Sequence, residues 1–417
     1  MTSQEQTTSA ATSLPGPESA YAWRRLFVAL LLSTIGGIGL WSTVVVLPAL
    51  QVDFGVARGE ASLPYTLTMI GFAFGGVLMG RLADRRGVIA SVALGGVALS
   101  LGYVVAAYTA NLWQFALVSG AMIGFFGSSA TFGPLVADTS HWFTRNRGIA
   151  VAVCASGNYL SGTIWPPILE HFVAAYGWRE THVGIGIFCA VTILPLSLLL
   201  RRPTPIAAET MPQRRRLLSD DSSAQTISPG VLQALLVLAG VACCVAMSMP
   251  QVHIVAYCAD LGYGVAHGAE MLSLMLGFGV VSRLASGWIS DHIGGVRTLL
   301  VGSALQCLTL LFYVPFNGLA SLYIVSALFG LAQGGIVPSY AMIVREYFSP
   351  REAGARVGVV LMATVIGMAL GGWMSGAIFD WTGSYRAAFI NGILWNLLNL
   401  SIAFWLLRQP RGHAAHA

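Results

Sequence analysis

One basic residue stands where a basic residue is costly. Arg283 lies alone in the apolar run from about Gly268 to Ser290. An ionised side chain at that depth of a bilayer costs on the order of 2.5–3.5 kcal/mol on insertion scales unless it meets a cavity or a partner. Its planar fork of donors suits a carboxylate gripped through both oxygens. It precedes Asp291 by eight residues, about 12 Å of helix, too far for comfortable snorkelling to the interface. Gly279, Val280, Ser286 and Gly287, one turn away on its face, are small enough to leave room beside the guanidinium. The chemistry implied is reversible binding of an anion inside the membrane; the competing reading is a structural arginine.

Asp260, in the run Val252–Gly262, is the candidate partner of Arg283 and a candidate proton carrier. Beside a buried cation it could cycle between protonated and ionised states as an anion comes and goes. The following Gly262 and Gly264 leave a solvated loop acid as the alternative. His253, two turns earlier on the same face, is the second proton-coupling candidate. Asn158, Tyr257, Gln333 and Tyr340 are candidate contacts for the same anion. They suit helix–helix hydrogen bonding equally well, as do Ser128, Ser129, Tyr159, Gln251 and Thr364. Gly124, Gly127, Gly133, Gly367, Gly371 and Gly372 are expected where helices approach closely.

The elements that must position these residues follow from composition. Of 417 residues 56% are hydrophobic and 9% charged, and the mean hydropathy is +0.72. Ordinary soluble domains carry roughly 25% charged residues, so much of this surface must face lipid. Apolar stretches long enough to span a bilayer recur twelve times, at 25–50, 61–83, 88–109, 112–138, 147–172, 181–200, 229–255, 268–290, 296–314, 319–345, 354–380 and 386–407. Without the alternation of a β-barrel, these are helices. All 22 basic residues are arginines. Eighteen fall in alternate loops or at their helix ends, against Arg58, Arg179 and Arg386 in the opposite loops. By the positive-inside rule both termini are cytoplasmic.

The net charge of +5 is spread over those short loops rather than gathered in a basic groove, which argues against nucleic acid. The six cysteines show no CxxC and no zinc spacing, and GGIGL at 36–40 is no phosphate loop. No cofactor, metal or catalytic triad is expected, so the chain reads as no enzyme. The organisation expected is a polar tail at 1–22, a six-helix bundle at 23–200, a polar linker at 201–228, a second bundle at 229–408 and a short tail at 409–417.

The halves repeat. Gly80-Arg-Leu-Ala-Asp84-Arg85-Arg-Gly87 after the second span has a weaker copy in Gly287-Trp-Ile-Ser-Asp291-His292-Ile-Gly294 after the eighth. Gly177-Trp-Arg179 is echoed by Ser384-Tyr-Arg386. Asp84 to Asp291 and Arg179 to Arg386 are both 207 residues apart, which indicates duplicated halves with a site near midplane between them. The first of these motifs resembles the helix 2–3 loop of the major facilitator superfamily. Trp142-Phe-Thr-Arg-Asn-Arg147-Gly148, Trp165-Pro166-Pro167, Gly177-Trp178-Arg179 and the segment from Val252 to Gly262 resemble its monocarboxylate and oxalate–formate branch, bacterial members included.

That resemblance implies twelve helices in two pseudosymmetric bundles working by alternating access. It implies a gating role for Gly80, Asp84, Arg85, Gly87, Gly287, Asp291 and Gly294, and a substrate role for the helix-8 arginine, here Arg283. The chain departs from the branch in three places: Gly279 replaces an aspartate, helix 1 lacks a lysine around Trp41, Ser42 and Thr43, and helix 11 lacks a lysine. One arginine suits one carboxylate better than a dianion. The expectation is a carrier of a small monocarboxylate, by proton symport or anion exchange, in the inner membrane and with a monomeric functional unit. The alternative is a carrier of a larger solute such as an aromatic acid, vitamin or drug.

Overall fold

A computed structural model describes residues 18–201, 228–348 and 350–409. The expected linker, apart from its end residues Arg201 and Ser228, lies outside the described residues, as do most of both tails. The described elements form twelve helical rods: α1 (Ala20–Phe54), α2 (Arg58–Arg86), α3 (Val88–Ala107), α4 (Leu112–Trp142), α5 (Arg147–Ala155 continuing as Gly157–Tyr176), α6 (Trp178–Leu198), α7 (Pro229–Asp260), α8 (Val265–Ile293), α9 (Gly295–Tyr313), α10 (Leu319–Tyr347), α11 (Pro350–Thr382) and α12 (Tyr385–Arg408). Each rod covers most of an expected span, and several run about a turn beyond it. The extra turns hold charged residues such as Arg58, Arg86 and Asp260, which remain helical outside the apolar slab.

Eleven rods are long and apolar enough on their own to cross a membrane. The fifth, expected at 147–172, is not among them: Asn158, Pro166, Pro167, Glu170 and His171 dilute its hydropathy. It is carried by its neighbours, packing against α1 and α8. Outward-facing Phe74, Leu101, Trp113, Phe188, Leu284, Trp288 and Trp405 form the apolar exterior that lipid must cover.

The first six helices enclose a core around Leu32, Leu99, Tyr103, Ile123 and Trp142. The last six enclose a larger one around Leu236, Leu272, Leu299, Phe329 and Phe389, which runs on into Trp41, Tyr65, Met69 and Tyr159 of the first half. Thus the halves are packed together and not merely tethered. Five of the six expected close-packing glycines sit against a neighbouring helix, as Gly367 does on the Val241 carbonyl and Gly372 on the Tyr65 ring, whereas Gly133 faces open space. Gly87 and Gly294, the last residues of the two motif copies, both have φ of +84°. The tight α2–α3 and α8–α9 turns require that backbone, which explains the glycine that ends each copy.

Four rods are interrupted partway. α1 breaks at Gly37, α4 passes through a π-helical and a 3-10 stretch between Ser119 and Thr131, α5 breaks at Ser156, and α10 breaks at Gly334 and Gly335. Interrupted helices release backbone carbonyls into the membrane interior, where only a protein donor or a bound solute can satisfy them.

At the arginine-rich end of the first half, Arg25 makes a two-pronged pair with Asp138, Nε to Oδ2 at 2.8 Å and Nη2 to Oδ1 at 2.9 Å. Nη1 donates to the Leu200 carbonyl at 2.9 Å, and the guanidinium stands over Trp142. Both side chains are almost fully buried. Removing one partner of a buried pair strands the other charge, at about 3–5 kcal/mol. Asp138→Ala is therefore expected to cost about 3 kcal/mol, read as a lowered melting temperature of purified protein. An unchanged melting temperature would show that water reaches Arg25.

Candidate functional site

Arg283 lies four residues beyond the centre of α8, about 6 Å from midspan, and half-buried between the two bundles. Its Nη1 donates to the Ala155 carbonyl at 3.2 Å and its Nε reaches the Gly334 carbonyl at 3.5 Å. Both acceptors lie at interruptions, Ala155 at the break of α5 and Gly334 at that of α10. The guanidinium carbon is 4.3 Å from the centre of the Tyr159 ring, a cation–π contact across the inter-bundle boundary. Gly279 makes this possible: a Cβ there would fall 2.6 Å from the ring's Cδ1. Trp41 donates its indole N–H to the Asn158 carbonyl at 3.2 Å, fixing the neighbouring turn of α5 to α1. No carboxylate among the described residues pairs with Arg283.

Asp260 is not its partner. Asp260 ends α7, while Arg283 lies eighteen residues into α8, about 27 Å along that helix. Asp260 instead binds Arg58, with Nη1 and Nη2 each 3.0 Å from one carboxylate oxygen. Arg58 also donates to Gln51 Oε1 at 2.6 Å and to the Tyr385 hydroxyl at 2.6 Å. The backbone N–H groups of Arg58 and Gly59 point at the Asp380 carboxylate at 2.8 and 2.7 Å. Arg58 comes from the first bundle; Asp260, Asp380 and Tyr385 come from the second. Three residues of three helices thus clamp the start of α2 to the second half on the arginine-poor face.

The clamp continues inward. His253 Nε2 lies 2.7 Å from the Gly372 carbonyl, which fixes the proton on that nitrogen. Nδ1 is then the acceptor of the Tyr385 hydroxyl at 3.2 Å, and Tyr385 in turn accepts from Arg58. The two proton-coupling candidates, Asp260 and His253, are therefore joined through Arg58 and Tyr385, neither of which the sequence reading singled out. Thr66 Oγ1 to the Ala369 carbonyl at 3.2 Å and Tyr65 against Gly372 extend the closure.

At the opposite face no ion pair joins the halves among the described residues. Gly76, Gly80, Gly287, Gly354 and Gly358 have empty space where a Cβ would be. Asp84, Arg85 and Asp291 are exposed and form no ion pair among the described residues. Asp84 lines a cavity of about 470 Å³ with Arg25, Arg86, Asp138, His141 and Arg201.

The remaining candidates are dispersed. Gln333 accepts from Gln251 at 2.6 Å inside the second bundle, although its neighbour Gly334 touches Arg283. Tyr340 is fully buried and donates to Asn399 at 2.8 Å. Tyr257 packs on Tyr385 and Phe389 near the closed face. Asn158 lines a small cleft with Ser33, Gly37 and Phe72, one residue from the ring that covers Arg283. Of the other four proposed anion contacts none touches Arg283; Asn158 and Gln333 are the chain neighbours of Tyr159 and Gly334, which do.

The described residues thus form twelve helices in two repeated halves, joined across the arginine-poor face by the Arg58 clamp. The Major Facilitator Superfamily model matches residues 29–321 and 281–417. The chain belongs to that superfamily, whose relatives are transporters rather than enzymes. It is 26% identical over 352 residues to monocarboxylate transporter 13 of Bos taurus, covering 81% of this chain and 79% of that one. It is 28% identical to monocarboxylate transporter 11 of Homo sapiens, covering 79% and 70%. A similar likeness joins it to the uncharacterized MFS-type transporter YcxA of Bacillus subtilis, at 25% identity over 80% and 82%. Its fold matches a bacterial homologue of the human lysosomal transporter Spinster in an inward-facing, occupied conformation, with a TM-score of 0.71 at 16% identity, covering 95% and 99%. A peptide transporter, POT, matches with a TM-score of 0.73 at 12% identity, covering 95% and 97%.

Proposed function

We propose that the protein carries a small monocarboxylate by proton symport or anion exchange, with Arg283 holding the carboxylate. The observation that carries this reading is a guanidinium between the bundles, near midspan, whose charge no carboxylate among the described residues neutralises. Two backbone carbonyls and a ring face satisfy its shape but leave its charge for a bound anion. The relatives named as monocarboxylate transporters support the same substrate class. Asn158 is the neighbouring polar contact. Tyr257, Gln333 and Tyr340 act in this reading only through the packing of the second bundle.

Asp260 is the group through which protons act, with His253 behind it. While ionised, Asp260 holds the arginine-poor face shut through Arg58; protonation removes the charge that Arg58 grips. Gly80, Asp84, Arg85, Gly87, Gly287, Asp291 and Gly294 form the matching gate on the other face.

The arginine-rich face is cytoplasmic, the membrane is the inner membrane, and the monomer is the functional unit. The conformation is then inward-facing. Reporter fusions after Arg201 and Arg408 are expected to signal cytoplasm and one after Arg179 the exterior; an external signal after Arg201 would overturn this orientation.

The substrate class is tested by thermal unfolding of purified protein against carboxylates of graded size. A specific ligand at a hundred times its Kd stabilises by about 2.7 kcal/mol through mass action. Stabilisation by two- to four-carbon monocarboxylates is expected. Stabilisation only by aromatic acids or neutral solutes would favour the larger-solute reading.

A further inference from the structure

The clamp acquires a second meaning when the two halves are compared. Asp53 and Asp260 are 207 residues apart, as are Arg179 and Arg386, Trp178 and Tyr385, and Gly55 and Gly262. Each aspartate lies at the end of its helix, followed two residues later by a glycine with φ of +61° or +81°. In the first half, Asp53 accepts from Arg179 Nη2 at 2.8 Å. Arg179 also donates to the Ala107 and Thr109 carbonyls and stacks 4.3 Å from the Trp178 ring centre. This pair stays within one bundle and ties the end of α1 to the start of α6.

The second half contains the same parts in a different arrangement. Both oxygens of Asp260 are taken by Arg58 of the other bundle, which also donates to the hydroxyl of Tyr385, the residue that corresponds to Trp178. The repeat's own arginine, Arg386, is exposed and has no ion pair or side-chain hydrogen bond among the described residues. It directly follows Tyr385, whose ring packs on that of Tyr257, one turn before Asp260.

We propose that Asp260, as long as it stays ionised, exchanges arginines during transport, binding Arg58 when the arginine-poor face is closed and Arg386 when it is open, and that protonation releases it from either. Opening carries Arg58 away with α2. Arg386 belongs to the same bundle as Asp260 and travels with it, so it is available whenever Arg58 leaves. The pair it would form is the one the first half already makes between Asp53 and Arg179. Arg386 thus offsets the loss of the clamp and keeps the open state within reach. This holds whatever solute is carried, so it stands apart from the carboxylate reading.

The test uses Thr66→Cys as a reporter, because Thr66 bridges to Ala369 across the closed face and the six native cysteines are all buried. The probe is a membrane-impermeant maleimide, and the readout is its labelling rate in the full-length carrier. Arg386 is exposed and unpaired when the face is closed, so Arg386→Gln leaves that packing intact. It should slow labelling about two- to fivefold, the worth of a partly exposed ion pair, while Arg58→Gln should speed it. In an Asp260→Asn background Arg386→Gln should have no further effect. Labelling by Arg386→Gln at the parent rate or faster, or an equal slowing with and without Asp260, would overturn the exchange.

Discussion

Arg283→Ala should abolish carboxylate transport while leaving the amount of folded protein close to that of the parent. The side chain is only half-buried, and its protein contacts are two long hydrogen bonds and one ring face. Little packing is lost with it. What is lost is a charge-assisted, two-pronged hydrogen bond to the solute, at about 1.5–3 kcal/mol, and the charge that makes an anion tolerable at that depth. Together these correspond to a fall in uptake on the order of a hundredfold or more. Arg283→Lys should recover little, because a point charge on a flexible stem does not reproduce the planar fork or its stacking on Tyr159. Uptake of a radiolabelled monocarboxylate into proteoliposomes, normalised to monodisperse protein, measures both variants. Normal uptake by the alanine variant would end the assignment of Arg283 as the substrate's ligand.

Much of the architecture is legible in the sequence because bilayer thickness fixes helix length, and interruptions in apolar sequence mark the turns. The repeat at 207 residues is legible for the same reason that it is useful: turn glycines such as Gly87 and Gly294 answer the same backbone requirement in each half. Rotation about the helix axis is harder to read. In a rod apolar on every side, periodicity does not separate the face toward the cleft from the face toward the bundle. Gln333 and Tyr340 could therefore be placed at the right depth and still turn into the bundle, onto Gln251 and Asn399.

Arg58 was hidden differently. As one of three arginines on the arginine-poor face it looked like a loop residue, and its link to Asp260 spans 202 positions between different bundles. The repeat did contain a signal: Asp53 and Asp260 share the offset that relates Arg179 to Arg386. Asp260 thus belongs with the ends of α1 and α6 in the first half, and so with arginines of the rim rather than with Arg283.

Asp260→Asn should separate exchange from accumulation. An asparagine keeps the shape at the end of α7 but removes the charge that both nitrogens of Arg58 address. The closed face then loses a charge-assisted contact of about 1.5–3 kcal/mol, somewhat less here because Asp260 is 35% exposed. The carrier spends more of its time open on that face, and an imposed proton gradient no longer has a group at the gate to act on. Accumulation driven by that gradient should fall on the order of tenfold. Counterflow, in which labelled substrate enters against unlabelled substrate with no gradient, need not return the empty carrier and should persist. Arg58 remains held by Gln51 and Tyr385, and its backbone by Asp380, so the start of α2 stays ordered and the variant is suitable for both assays. If Asp260→Asn accumulates substrate like the parent, Asp260 is only a brace of the closed face. The proton-sensitive role then passes along the hydrogen-bond chain to His253, where His253→Gln, with Tyr385 and Gly372 intact around it, becomes the variant that must lose gradient-driven accumulation.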